Sequence, residues 1–319
     1  MTVLDITDLT MTYGTVNRHH TAVENASLAV ERGELVALVG ESGSGKSTLA
    51  RAVAGIHAPA AIRTGSIRLD GRELVDADSR TWRAVRGSRI GFAFQDPTTA
   101  FDPVYTIGEQ LCEAIDAAEG TASSGSPLEA VSGLLRRRPD RHHREQALAL
   151  LAEVGIDDPE ACFGAYPSGL GGGQCQRAFL APALARGPDL PAADEPTSGL
   201  DAPTRARVLS LLEELAATRE LGVLLITHDL GLVSDHCDRI SILADGRIAD
   251  SGPTSSVLAR PGHDATQELV SAARKLTLSD REPVSADGFP KPAGPPTATR
   301  GHGGRGRGVR RGVARAATR

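Results

Sequence analysis

Aromatic residues make up only 3% of this 319-residue chain, with a single Trp, so Val, Leu, Ile and Ala must fill the core. Long apolar runs are also missing. Stretches such as residues 223–226 fall far short of the roughly 20 residues that cross a bilayer, so no membrane-spanning helix is expected. The first ten residues carry Asp5 and Asp8 and lack a basic start followed by an apolar stretch, which argues against a secretory signal and for a cytosolic chain. The four cysteines, Cys112, Cys162, Cys175 and Cys237, show no Cys-x-x-Cys spacing, leaving neither a zinc site nor a disulfide framework to propose. Acidic residues are absent from residues 288–319, which hold seven Arg and one Lys, whereas the whole chain has 35 basic and 40 acidic residues. The body is therefore acidic and the end basic. Rich in Pro, Gly, Ala and Thr and poor in large apolar residues, residues 280–319 are expected to be disordered. They read as a solvated extension with no nucleic-acid partner.

The chain does have a phosphate-binding loop. Gly40-Glu41-Ser42-Gly43-Ser44-Gly45-Lys46-Ser47 follows the apolar run Leu35-Val36-Ala37-Leu38-Val39 and opens a helix-like stretch at residues 48–56. Glycines let backbone N–H groups turn inward into an anion nest, and the helix behind directs the positive end of its dipole to the same point. A nucleoside triphosphate is the expected occupant. Gly40, Ser42, Gly43, Ser44, Gly45, Lys46, Ser47 and Thr48 are its candidate ligands, with Lys46 reaching the β- and γ-phosphates and the Ser47 hydroxyl facing Mg²⁺.

Alternation at Val3-Leu4-Asp5-Ile6 and Ala26-Ser27-Leu28-Ala29-Val30 predicts two strands ahead of the buried one that ends in the loop. Strand-like residues 66–69 and 89–94 follow, and the pattern turns helical across 107–155, interrupted by a loop at 120–127. Arg136-Arg137-Arg138 and Arg141-His142-His143-Arg144 read as a solvated basic face. From Asp189 an α/β alternation returns: a strand into Asp194, a helix over 202–218, and strands over 222–227 and 239–243. Such alternation implies a mainly parallel sheet covered by helices on both faces.

Further motifs stand downstream in fixed order: Gln95-Asp96-Pro97, Leu170-Gly171-Gly172-Gly173-Gln174, Ala193-Asp194-Glu195-Pro196-Thr197, Ser198-Gly199-Leu200-Asp201 and Thr227-His228-Asp229. Together with the phosphate loop they resemble the nucleotide-binding subunit of an ATP-binding cassette (ABC) transporter over residues 4–276. Gly-Glu-Ser-Gly-Ser-Gly-Lys-Ser, Asp102-Pro103-Val104-Tyr105-Thr106-Ile107-Gly108-Glu109-Gln110 and Tyr166-Pro167 are similar to the peptide/nickel importer branch.

The resemblance implies an α/β fold: a P-loop NTPase core of ABC ATPase type with an antiparallel β subdomain and an inserted helical subdomain. It implies a nucleotide-binding domain at 1–252, its helical subdomain near 107–186, and a short extension at 253–279. ATP and Mg²⁺ would be the cofactors. Asp194, with Ser47 and Gln95, would hold Mg²⁺; Glu195 would act as general base; His228 would contact the γ-phosphate, and Gln95 would sense metal or water. Tyr13 would stack on adenine. Members of the family work as head-to-tail dimers in which Gly171, Gly172, Gly173 and Gln174 of one chain would meet the nucleotide of the other, and Asp201 would lie across the interface. The expected partners are two membrane permeases, a second ATPase subunit, identical or different, and indirectly an extracytoplasmic solute-binding protein. The expected location is peripheral, on the cytoplasmic face of the membrane.

This chain departs from the pattern in several places. Gly171 stands where the signature usually has Ser, Pro182 lies inside the following helix, and Pro191 is expected to interrupt the strand into Asp194. In the extension, Pro261-Gly262-His263-Asp264-Ala265-Thr266 replaces the usual Pro-x-His-Pro-Tyr-Thr. Without a cysteine after Cys237, the iron–sulfur cluster some members carry there is not expected. Two other readings stay open: a soluble ABC ATPase unconnected with transport, and an ATP-binding subunit with impaired hydrolysis and a regulatory role.

Overall fold

In the computed structural model the described residues are 1–15, 18–57, 61–86, 88–94, 101–119 and 141–279. Gln95, the loop at 120–127, the run Arg136-Arg137-Arg138 and residues 280–319 lie outside them.

Two sheets share one interior. The antiparallel sheet has the order β2-β1-β4-β5, with β1 at Thr2–Thr15, β2 at Arg18–Glu31, β4 at Ile62–Leu69 and β5 at Arg72–Glu73. β1 and β2 run far beyond the short alternating stretches the sequence pattern marks. The β1–β2 register shifts near Leu4, Leu9 and Met11, and Asp8 and Asn25 adopt φ near 49°. Each irregularity resets the two-residue phase, hiding the rest of the strand from a periodicity argument.

The second sheet has the order β10-β9-β3-β8-β7-β6. Its strands are β3 (Leu35–Val39), β6 (Ile90–Ala93), β7 (Leu190–Asp194), β8 (Val223–Thr227), β9 (Arg239–Ala244) and the antiparallel edge β10 (Arg247–Pro253). β3, β7 and β8 are buried at all five positions, as expected of parallel strands covered on both faces. Leu35, Ala37 and Val39 join a cluster with Ile107, Leu111, Leu151 and Phe179 of the helical region, while Val36 and Leu38 join one with Ile6, Met11, Leu49 and Trp82 against the antiparallel sheet.

The helices are α1 (Lys46–Val53), α2 (Ser79–Val85), α3 (Ile107–Glu119), α4 (Arg141–Glu153), α5 (Pro159–Gly164), α6 (Gly172–Leu184), α7 (Ala202–Arg219), α8 (Leu230–His236), α9 (Thr254–Ala259) and α10 (Asp264–Ser279). Among the described residues none is long and apolar enough to cross a membrane. α3 begins with a capping box: the Thr106 backbone N–H donates to Glu109 Oε2 at 2.8 Å, and the Glu109 N–H donates back to Thr106 Oγ at 3.3 Å.

One expectation about proline needs correction. Pro191 does not interrupt β7, which pairs through it with Gly91. The neighbouring Leu190 N–H donates toward β6, to Arg89 O, so the Pro191 nitrogen faces β8, where pairing begins only at Ala192–Leu224. The missing donor falls at the edge of that ladder. Pro182 lies inside α6, as expected; the helix continues past it to Leu184, and the end is closed by the N–H of Ala185 donating to Pro182 O. Cys112, Cys162, Cys175 and Cys237 are all buried, and none is in a disulfide. Burial pushes the thiols of Cys112 and Cys162 up to about 11 and that of Cys237 up to about 12, so they stay protonated.

Candidate functional site

Three adjacent parallel strands end at one edge. Val39 at the end of β3 pairs with Thr227 at the end of β8, and Asp194 at the end of β7 pairs with Ile226. The topology therefore gathers the loop after β3, the acidic pair after β7 and the histidine after β8, although up to 188 positions separate them along the chain.

The loop itself is pinned between strands. Gly45, at φ 106°, caps α1, and a Cβ there would lie 2.4 Å from Ala22 O; one at Gly40 would lie 2.1 Å from Leu243 O. Only glycine fits at either position. Lys46 is buried, and its Nζ donates to Gly40 O and Glu41 O, both at 2.8 Å. Burial holds the Lys46 pKa below its ordinary value, and the charges of Glu195, Asp194 and Glu41 pull in the opposite direction. Ser44 is buried and its Oγ has no partner; Glu41, Ser42 and Gly43 are exposed, and Ser47 and Thr48 are half-buried on the first turn of α1.

Asp194 is 2% exposed. Burial raises its pKa, a hydrogen bond with the Ser47 side chain acts against that, and neighbouring Glu195 adds to the rise. Its Oδ1 is buried with no partner. A hard-oxygen pair with one unanswered carboxylate oxygen, next to an anion nest, fits Mg²⁺, which takes one or two carboxylates and completes its shell with phosphate and water. Among the described residues no cluster of three or more His, Cys, Asp or Glu forms an all-protein metal cage.

Glu195 sits at φ 50°, the left-handed region, where its N–H donates to Ile226 O at 2.8 Å. That unusual backbone turns the side chain away from β7 and toward the end of β8, where Glu195 Oε1 lies 2.9 Å from His228 Nδ1. The glutamate is 15% exposed and the imidazole 66%, so the pair reaches from the interior to the surface.

The remaining expected residues are placed as follows. Tyr13 is half-buried on β1, two residues beyond Met11, whose partner Val23 would meet a Cβ placed at Gly45 at 3.4 Å. Gly171 is the N-cap of α6 with no side chain to cap it, Gly172 and Gln174 are exposed, and Gly173 faces Thr204 on α7. Asp201 is the N-cap of α7, its Oδ1 accepting from the Thr204 N–H at 2.8 Å, and that bond holds its carboxyl below the usual carboxylate range. Gln95 is outside the described residues. Sequence reasoning names Asp229 only as a member of the Thr227-His228-Asp229 motif, with no role, and does not mark Arg205. Asp229 caps α8 by accepting from the N–H groups of Gly231 and Leu232, and Arg205 Nη1 lies 3.0 Å from Asp229 Oδ2. An Asp just ahead of an apolar helical run is a legible cap signal; nothing local marks the ion pair.

Comparison with known proteins gives a consistent answer. The family model described as ABC transporter matches residues 23–198. The oligopeptide transport ATP-binding protein OppD of Lactococcus lactis subsp. cremoris is 35% identical over 280 residues, covering 87% of this chain and 78% of OppD. The dipeptide transport ATP-binding protein DppD of Haemophilus influenzae is 35% identical over 300 residues, covering 92% and 86%. Among solved structures, the dimeric post-hydrolysis state of the ATP-binding cassette MJ0796, bound to ADP and Pi, superposes with a TM-score of 0.64 at 27% identity, over 79% of this chain and 98% of that one. With its strand-end geometry, its motif order and a family match across more than half its length, the chain belongs to the ABC transporter family.

Proposed function

We propose that this chain is the ATP-hydrolysing subunit of an importer for peptides or a related small solute, driving uptake through separate membrane permeases. The observation that carries the reading is the 2.9 Å contact between Glu195 and His228 beside the buried Asp194 and Lys46 and the half-buried Ser47. In this reading the backbone N–H groups of residues 40–45 and the Lys46 ammonium bind the β- and γ-phosphates. Ser47 and Asp194, with Gln95, hold Mg²⁺, which when bound neutralises charge on the phosphate oxygens. Glu195 takes the proton of the attacking water as general base, and His228 fixes the direction of the Glu195 carboxylate and faces the γ-phosphate. Tyr13 stacks on adenine at the rim.

The cassette works as a dimer. Residues 171–174 of one copy and Asp201 close over the nucleotide of the partner cassette, and closing and reopening transmits force to two permeases at the cytoplasmic face of the membrane. Cargo is selected by an extracytoplasmic binding protein and never touches this chain. The relatives' names, oligopeptide and dipeptide transport ATP-binding proteins, support peptide as the cargo class. In domain terms, residues 1–252 form the cassette, with its helical subdomain near 107–186, and 253–279 form a short extension.

One observation favours a second reading, an ATP-binding subunit with weak turnover. Gly171 offers no hydroxyl to the partner's nucleotide. The experiment that separates the two is Glu195→Gln in the purified chain. An active ATPase loses turnover by at least about a hundredfold while keeping ATP binding, and accumulates as an ATP-bound dimer in gel filtration. Turnover equal in wild type and variant contradicts the hydrolytic reading.

A further inference from the structure

The loop that follows Glu195 and the loop that follows β8 are joined at two points, and the proposed chemistry uses only the first, the Glu195–His228 contact. The second is the ion pair of Arg205 with Asp229, 3.0 Å from Nη1 to Oδ2, with the two side chains 35% and 30% exposed. Both partners are anchored in the first turns of their own helices. The Arg205 N–H donates to Asp201 O at 2.9 Å, and Asp201 in turn caps α7. Asp229 divides its carboxylate: Oδ1 accepts from Gly231 N–H at 3.1 Å and Leu232 N–H at 3.3 Å, and Oδ2 is left for the guanidinium. The Asp229 backbone N–H donates to Thr227 Oγ at 3.1 Å, on a residue buried at the end of β8. His228 is therefore the single residue between two fixed points.

Its own side chain is 66% exposed, so its direction depends largely on the backbone beneath it and on Glu195. Arg205 Nε is buried without a hydrogen-bond partner, and its guanidinium makes its ion pair with Asp229, while Asp201 also feels its charge. We propose that Arg205 is a positioning residue: through Asp229 it holds the residue 227–229 turn so that His228 meets Glu195, and turnover thus depends on a side chain that touches neither nucleotide nor reacting atoms. The inference rests on the hydrolytic reading for its kinetic consequence and on geometry alone for its effect on His228.

The test uses the full chain with Arg205→Gln, Arg205→Lys, Asp229→Asn and the Gln/Asn double variant. Asn keeps an oxygen to cap α8 and removes only the charge, which guards against a variant that fails to fold. ATP turnover and the imidazole nitrogen NMR signals of His228 are both measured. The expected result is a kcat lowered about tenfold in Arg205→Gln with KM for ATP within about twofold of wild type, because positioning and not nucleotide affinity is lost. Lysine restores part of the rate, since it keeps the charge without the planar fork. The double variant is no slower than the slower single one, and the His228 signals move toward those of Glu195→Gln. Unchanged His228 signals and kcat in Arg205→Gln, or single effects that multiply in the double variant, overturn the proposal. Should wild type show no ATP turnover, the hydrolytic reading fails, while the His228 signals still decide whether Arg205 positions that residue.

Discussion

At Gly171 a helix starts without a side chain to cap it, yet nothing in the structure demands glycine there. The backbone is extended, at φ −65° and ψ 150°, and an added Cβ would meet only Gln174 Oε1, at 3.9 Å. Gly40 and Gly45 are the opposite case, since a Cβ at either collides with backbone. Gly171→Ser therefore fits without strain and supplies both an N-cap and a hydroxyl directed outward. A hydrogen bond to a phosphate charge contributes about 1.5–3 kcal/mol, which, if fully expressed in the transition state, is about tenfold to a hundredfold in rate. ATP turnover of the homodimer is expected to rise by that order in Gly171→Ser, and only modestly where the chain pairs with a different cassette bearing its own intact site; no change in either assembly argues against a role for residue 171 in turnover. Lys46, Ser47, Asp194, Glu195 and His228 were legible from sequence because each sits within a short motif whose residue types have a chemical reason to be neighbours. The pairing of Arg205 with Asp229 was not, because they are 24 positions apart and only the fold brings them together.

Elements were legible in proportion to how simply they are buried. β3, β7 and β8 have no exposed face and read as short apolar runs, recovered nearly to the residue. β1 and β2 were seen only in part because bulges break their alternation. Pro191 misled for a different reason: sequence shows that a donor is missing, and only the sheet shows which neighbour would have received it. The turns between elements carry a feature no motif announces. Arg32 before β3 pairs with Asp70 after β4 at 2.7 Å and with Asp189 before β7 at 3.0 Å, and Arg89 before β6 pairs with both acids. This ring of four charges stitches the antiparallel sheet to the strand ends opposite the phosphate loop. Burial disfavours the charged form of Asp189, but hydrogen bonds from Arg89 and Arg32 outweigh it and hold its pKa below the ordinary value. A depressed folded pKa gives stability that is present above the unfolded value, about 3.9, and is lost as pH falls through the folded one. Asp189→Asn is expected to lower stability at pH 7 by about 1–2 kcal/mol in urea unfolding and to flatten the acid limb of the stability profile. Equal loss of stability in wild type and variant between pH 7 and pH 3 contradicts this account.

At the scale of the whole molecule, the strand ends bring the phosphate loop, Asp194 and the Glu195–His228 contact to one edge, and the start of α6 is exposed. In the proposed reading this edge is a half-site that a partner cassette completes. Fold and family follow from the chain itself, because motif order and strand order are properties of one polypeptide. Cargo, permeases and the identity of the second cassette are not encoded in any residue of the nucleotide site, which is why neither sequence nor fold specifies them. The most direct measurement is therefore co-purification of the tagged chain from native membranes in mild detergent, with the bound proteins identified by mass spectrometry. The account predicts recovery of two permeases and a second cassette. A chain found only in the soluble fraction, alone or with ribosomal or DNA-bound proteins, would contradict the importer function and leave the ABC cassette without a membrane role.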